Sequence, residues 1–108
     1  MENINLSEIQ SLINQRKIVW TAHVGVRLRE RGIRRKDVLE CIANGKIIEQ
    51  YPSEKGHPSC LVLGKIASFK SLHVVVGLDA DIACFIVTAY YPNLDKWNTG
   101  FEKRKELL

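Results

Sequence analysis

Two places in this sequence bring together side chains that could bind phosphate and move protons. His23, Arg27 and Arg31 recur every four residues, so on a helix they form one stripe that drifts slowly around the axis. Histidine titrates near neutrality and arginine keeps its charge at any physiological pH. Such a stripe can hold a phosphate and pass a proton beside it. Val24 and Leu28 flank the stripe and are expected to anchor that helix to a core, so the cations border the buried side and can line a cleft over a sheet. The plainer alternative is that the arginine stems lie along the core while their heads pair with acids such as Glu49.

The second place is Leu72-His73-Val74-Val75-Val76, where a histidine interrupts an apolar strand. If the last hairpin turns at Ala80-Asp81, His73 faces Thr88 and lies diagonal to Tyr90. All three then share one sheet face. A lone strand histidine is otherwise a hydrogen-bonded structural residue, but His, Thr and Tyr together make a polar patch where Val or Ile would pack better.

Charge is concentrated near the first place. Arg27, Arg29, Arg31, Arg34, Arg35 and Lys36 put six cations within ten residues, opposed only by Glu30, in a chain of net charge +4. A local field of this kind attracts phosphates or an acidic protein surface, unless it is simply a solvated face. Cys41, Cys60 and Cys84 are widely spaced with no CxxC pair, and neither His23 nor His73 has a carboxylate or cysteine at a ligand spacing. No metal site and no cofactor is therefore expected. His57 sits in a Gly/Pro loop and looks incidental. Gly25, Gly32, Gly45, Gly56 and Gly64 are too dispersed for a phosphate-binding fingerprint. No Ser or Cys stands in a nucleophile-elbow context.

These residues must be positioned by a small fold. The 108 residues suit a single domain spanning 1–108, and 45% hydrophobic with 26% charged residues argues against disorder. No apolar run approaches a membrane span, the N-terminus lacks a secretory signal, and free cysteines suit a reducing compartment, so a cytoplasmic protein is expected. Helices are expected over residues 6–16, 22–31 and 35–44. Asn5 and Glu8 form a capping box for the first. Thr21 caps the second and Gly32 stops it. Arg34 is a poor cap for the third, although Asp37 suits its first turn. The period then changes to two, predicting strands over 46–51, 60–67, 72–78 and 83–91. A polar loop over 52–58 follows the first strand, and turns follow at 68–71 and 79–81. Such short connections imply antiparallel neighbours. The tail, 93–108, offers Trp97 and Phe101 as anchors and a short helix. The expected fold is α+β, N-terminal helices followed by a four-stranded antiparallel sheet.

Several ordered strings resemble the bacterial family catalogued as domain of unknown function 4258. They are His23-x3-Arg27-x3-Arg31-Gly32-Ile33, Asp37-Val38, Asn44-Gly45-Lys46-Ile47-Ile48-Glu49-Gln50-Tyr51-Pro52, Ser59-Cys60-Leu61-Val62-Leu63-Gly64, Leu72-His73-Val74-Val75-Val76, Thr88-Ala89-Tyr90-Tyr91-Pro92 and Asp95-Lys96-Trp97. The likeness covers roughly residues 20–100. Arg34 departs from it, standing where the family tends to have a small capping residue. The resemblance implies kinship with RelE/ParE and BrnT-type toxins, small basic α+β proteins neutralised by an antitoxin, here a small zinc-finger partner of the YgiT type. It implies metal-independent RNA cleavage, in which Arg27 and Arg31 contact phosphate, His23 and His73 serve as acid and base, and Tyr90, with Thr88, orients the substrate. The competing expectation is a non-catalytic basic module that binds a protein partner or nucleic acid.

Overall fold

The computed structural model describes residues 3–53, 57–79 and 82–106. Helix α1 covers Leu6–Asn14, two residues shorter than expected, and Glu8 accepts the Asn5 backbone N–H at 3.2 Å, as a capping box requires. Helix α2 covers Ala22–Arg31. Thr21 Oγ1 accepts the Val24 N–H at 3.1 Å, and at the other end Gly32 takes a left-handed φ of +67°. Glycine adopts that conformation without a Cβ penalty. Helix α3 covers Arg35–Asn44. Arg34 is the wrong residue type to cap it, and Asp37 supplies what is missing by accepting the Arg34 N–H at 2.9 Å. Burial opposes ionisation of Asp37, but the Arg34 N–H and guanidinium outweigh it and hold the carboxyl below its ordinary value.

The sheet corrects the expected one. Among the described residues it has five strands, β1 Ile18–Trp20, β2 Lys46–Tyr51, β3 Ser59–Lys65, β4 Ser71–Asp79 and β5 Ala83–Tyr90, in the order β1-β5-β4-β3-β2. The last four pair antiparallel as expected, whereas β1 lies parallel to β5. Three residues carry too little alternation to be read as a strand. The long crossover that a parallel pair needs is supplied here by α2, α3 and the rest of the sheet. Among the described residues of the tail, 93–106, there is no helix. The tail folds back on itself through a Trp97–Arg104 bridge. Ala80 and Asp81, the expected turn, lie outside the described residues, as does the centre of the 52–58 loop.

The two faces of the sheet have different covers. Val62, Leu72, Val74, Val76, Cys84 and Ile86 join Ile9, Val24, Leu28, Val38 and Ile42 in the main core beneath the helices. Gly64 lets α3 approach, since a Cβ there would stand 2.3 Å from the Cys41 carbonyl oxygen. On the opposite face Leu61, Leu63 and Trp97 are buried outside that core, and here the tail is the cover.

Two bulges decide what reaches the tail-covered face. Ile48 is an extra residue between Ile47, opposite Val62, and Glu49, opposite Leu61. Val87 is an extra residue between Ile86, opposite Val76, and Thr88, opposite Val75. Because side chains alternate, each bulge reverses the phase of the residues after it. Glu49, Thr88 and Tyr90 thereby join the face that carries His73.

Candidate functional site

The stripe on α2 is divided by its surroundings. Val24 and Leu28 are buried as expected, while His23 and Arg27 face water. Arg27 meets Glu30 at 3.3 Å, an exposed pair of little energetic weight. Arg31 differs. Strand β1 ends at Trp20, opposite Ile86, so the edge of β5 beyond Ile86 has no strand beside it. Arg31 Nη1 fills the place, donating to the Ala89 carbonyl at 2.7 Å and to Thr88 Oγ1 at 3.1 Å. The end of α2 is thus tied to the rim of the sheet face that α2 itself does not cover.

On that face His73 and Tyr90 are direct cross-strand partners, and Thr88 lies opposite Val75. The expected pairing of His73 with Thr88 is corrected by two residues in register, one slip at the turn and one at Val87. Two single-residue slips cancel in phase, so the three side chains still share a face. His73 is fully buried. Its ring stands edge-on to Tyr90 at 5.3 Å and to Trp97 at 4.4 Å between centroids. Nε2 lies 2.9 Å from the Phe101 carbonyl and Nδ1 lies 3.2 Å from the Tyr90 hydroxyl. A carbonyl only accepts, so Nε2 carries the proton in the neutral ring, and Nδ1 accepts from the Tyr90 O–H. Burial lowers the His73 pKa, opposed by the Phe101 hydrogen bond and by Glu49. Burial also raises that of Tyr90. Both are neutral at pH 7, with the tyrosine oxygen held in one orientation.

Glu49 does not pair with the α2 arginines. Arg104 of the tail binds it in a two-pronged contact at 2.9 and 3.0 Å and lies over the Trp97 ring at 4.7 Å. The Tyr51 hydroxyl donates to the same carboxylate. The Arg104 guanidinium holds Glu49 below its ordinary pKa, and burial together with Glu49 pushes Tyr51 up to about 12. Trp97 is therefore an anchor as expected. Phe101 contributes through its backbone carbonyl, at a φ of +61°.

These pieces border one groove of about 350 Å³, lined by Arg31, Tyr90, Lys96, Trp97 and Arg104 among others. Three cations share this groove with a neutral, oriented tyrosine, Arg31 held by Thr88 and Ala89 and Arg104 by Glu49. His23 is not brought to His73, since it stands exposed on α2 and His73 lies on the far face of the sheet, beneath the tail. Arg27 points to solvent, and Thr88 reaches the site through Arg31. Sequence reasoning missed Lys96 and Arg104. The available signal was Trp97, an apolar anchor in a polar tail, which obliges its neighbours to lie on the sheet. Among the described residues no group of three His, Cys, Asp or Glu side chains could hold a metal ion.

The model of the family described as domain of unknown function (DUF4258) matches residues 20–91, well over half of the chain. The chain belongs to this family. The matched span runs from the end of β1 through β5, so the DUF4258 region includes Arg31, His73 and Tyr90, while Lys96 and Arg104 lie beyond it. A search of curated proteins finds no match.

Proposed function

We propose that this protein acts on single-stranded RNA as a metal-independent ribonuclease of the toxin type, with the groove at Tyr90 as its site. It would work in the cytoplasm, with a fold of RelE/BrnT kinship and an antitoxin, in our reading a zinc-finger protein of the YgiT type, as its restraint. One observation carries the reading: Arg31, Lys96 and Arg104 line the same groove as Tyr90, whose hydroxyl is fixed in direction by a buried histidine. A phosphodiester brings negative charge and a ribose hydroxyl to a site of this kind. In the reaction the 2′-oxygen attacks phosphorus and gives up its proton to solvent water. The bond to the 5′-oxygen breaks and that oxygen takes a proton from solvent water, leaving a cyclic phosphate and a free 5′-hydroxyl. The three cations meet the charge that grows on the phosphoryl oxygens, the electrostatic share of such catalysis. The Tyr90 oxygen, its proton held by His73 Nδ1, accepts a hydrogen bond from the ribose 2′-hydroxyl, and His73 is a positioning residue acting through Tyr90. His23 and Arg27 are left to steer RNA from outside the groove.

The non-catalytic binding reading also has an observation in its favour. Both His73 nitrogens are engaged and burial disfavours its charged form, which makes it a poor base. A 5′-labelled RNA incubated with purified protein and a chelator separates the two. Cleavage leaving cyclic phosphate ends, lowered about a hundredfold in Tyr90→Phe and absent with 2′-O-methylated RNA, is the expected result. Saturable binding of RNA that stays intact would establish the binding module, and absence of both would refute the reading.

A further inference from the structure

Tyr91 and Pro92 line the groove at Tyr90 and also a second hollow of about 660 Å³, so the two adjoin across these residues. At the far side of this hollow stands Phe69, on the turn between β3 and β4. The residue is 84% exposed and its backbone φ is +62°. The turn is fixed by the Phe69 N–H to the Ile66 carbonyl at 2.8 Å and the Ile66 N–H to the Lys70 carbonyl at 3.1 Å. A left-handed backbone is unfavourable for a bulky side chain, and a phenyl ring left in water forgoes burial. Phe101, the other aromatic residue at positive φ, lines the same hollow. Among the described residues the non-glycine positions with positive φ are Arg16, Phe69 and Phe101. Two of these three thus meet in one place, and strain of this kind gathers where a site needs a particular backbone.

The charge around the hollow has one sign. Lys65 and Lys70 line it, with Lys70 Nζ 5.3 Å from the centre of the Tyr91 ring, and no carboxylate is among its described lining residues. Cations beside exposed ring faces are what a strand of unpaired nucleotides requires, phosphates for the lysines and bases for the rings. An acidic peptide would engage the lysines but leave the Phe69 ring in water. We infer that this hollow is a base-stacking subsite for single-stranded nucleic acid, in which Phe69 stacks on a base beyond the nucleotide held at Tyr90. Lys65 and Lys70 then bind the phosphates between them. The inference rests on the groove reading above, and it gives the substrate a minimum length, since a strand must span both hollows to gain from Phe69.

The test uses 2′-O-methylated oligouridylates, which the proposed chemistry cannot cleave, titrated into the full chain by fluorescence and NMR. One ligand is a dinucleotide and the other has about ten nucleotides, within the range such sites cover. Phe69→Ala should weaken the long ligand about tenfold, the worth of one stacked base, and affect the dinucleotide far less. Phe69→Trp should restore the affinity. Phe69→Gly should weaken binding like alanine while leaving the melting temperature unchanged or raised, since glycine tolerates the same backbone. Replacing both Lys65 and Lys70 by glutamine should lower the slope of log affinity against log salt by about 1.4. Equal affinity of wild type and Phe69→Ala for the long ligand would overturn the subsite while leaving the groove intact. Loss of wild-type binding to both ligands would overturn the groove as well. Binding of oligoglutamate that depends on Phe69, without binding of either oligouridylate, would make the hollow a protein-docking surface and overturn the inference.

Discussion

His73 is a polar side chain held where water does not reach, and its two hydrogen bonds dictate what it can do. With Nε2–H committed to the Phe101 carbonyl, Nδ1 can only accept, and the Tyr90 hydroxyl becomes its donor. A long-range nitrogen–proton NMR spectrum at neutral pH should therefore show the Nε2–H tautomer. A mixture of tautomers or an imidazolium would contradict this arrangement. The same burial has a thermodynamic consequence. It lowers the folded pKa below 6.5, so below that pH the unfolded chain takes up a proton that the folded chain resists. Stability should fall as pH drops through about 6.5 and stop falling beneath the folded value. Glu49 acts in a lower window. The Arg104 guanidinium holds it below 4.5, so its contribution is complete above that pH and is lost as pH falls through the folded value. Arg104 is more than half exposed, which limits this contribution to about 0.5 kcal/mol. Melting curves from pH 8 to pH 3 check both windows; Asp37 also loses its contribution in acid, so Glu49→Gln should lessen the lower loss without abolishing it and leave the fall near pH 6.5 in place. The polar trio His73, Thr88 and Tyr90 was placed on one face by alternation only because a slip at the turn and the unseen bulge at Val87 cancel in phase. Their cover was not legible, because it comes from a tail with no periodic pattern.

Helices α2 and α3 were legible to the residue, since Thr21, Gly32 and Asp37 state their ends in local chemistry. Strand β1 was not, because its pairing with β5 joins Ile18 to Cys84 across most of the chain. The bulges at Ile48 and Val87 were equally hidden. Each is one apolar residue in an apolar run, and only the partner strand reveals which is extra. Close packing between elements gives a sharper test. Gly64 faces the Cys41 backbone, so Gly64→Ala must push α3 off β3, at a cost of about 2 kcal/mol. Denaturant unfolding should show that loss with little change in slope. An alanine variant as stable as wild type would mean that the two elements are not in contact there.

The whole molecule is a sheet with two unlike covers, helices that make the core and a tail that completes the groove. Trp97 holds the tail by its contacts with His73 and Arg104. Trp97→Ala should cost about 3 kcal/mol, and limited proteolysis should then cut within residues 93–106 before the rest of the chain. A tail that stays protected would contradict its dependence on this anchor. The arrangement also separates two sources of positive charge that the sequence ran together, the run from Arg27 to Lys36 and the groove formed by Arg31, Lys96 and Arg104. The salt dependence of binding to a 2′-O-methylated oligouridylate distinguishes them most directly. If the groove grips the RNA backbone, Arg31→Ala and Lys96→Gln each lower the slope of log affinity against log salt by about 0.7, while Lys36→Gln leaves it unchanged. A slope that responds to Lys36→Gln and ignores Lys96→Gln, or no binding at all, would contradict the account.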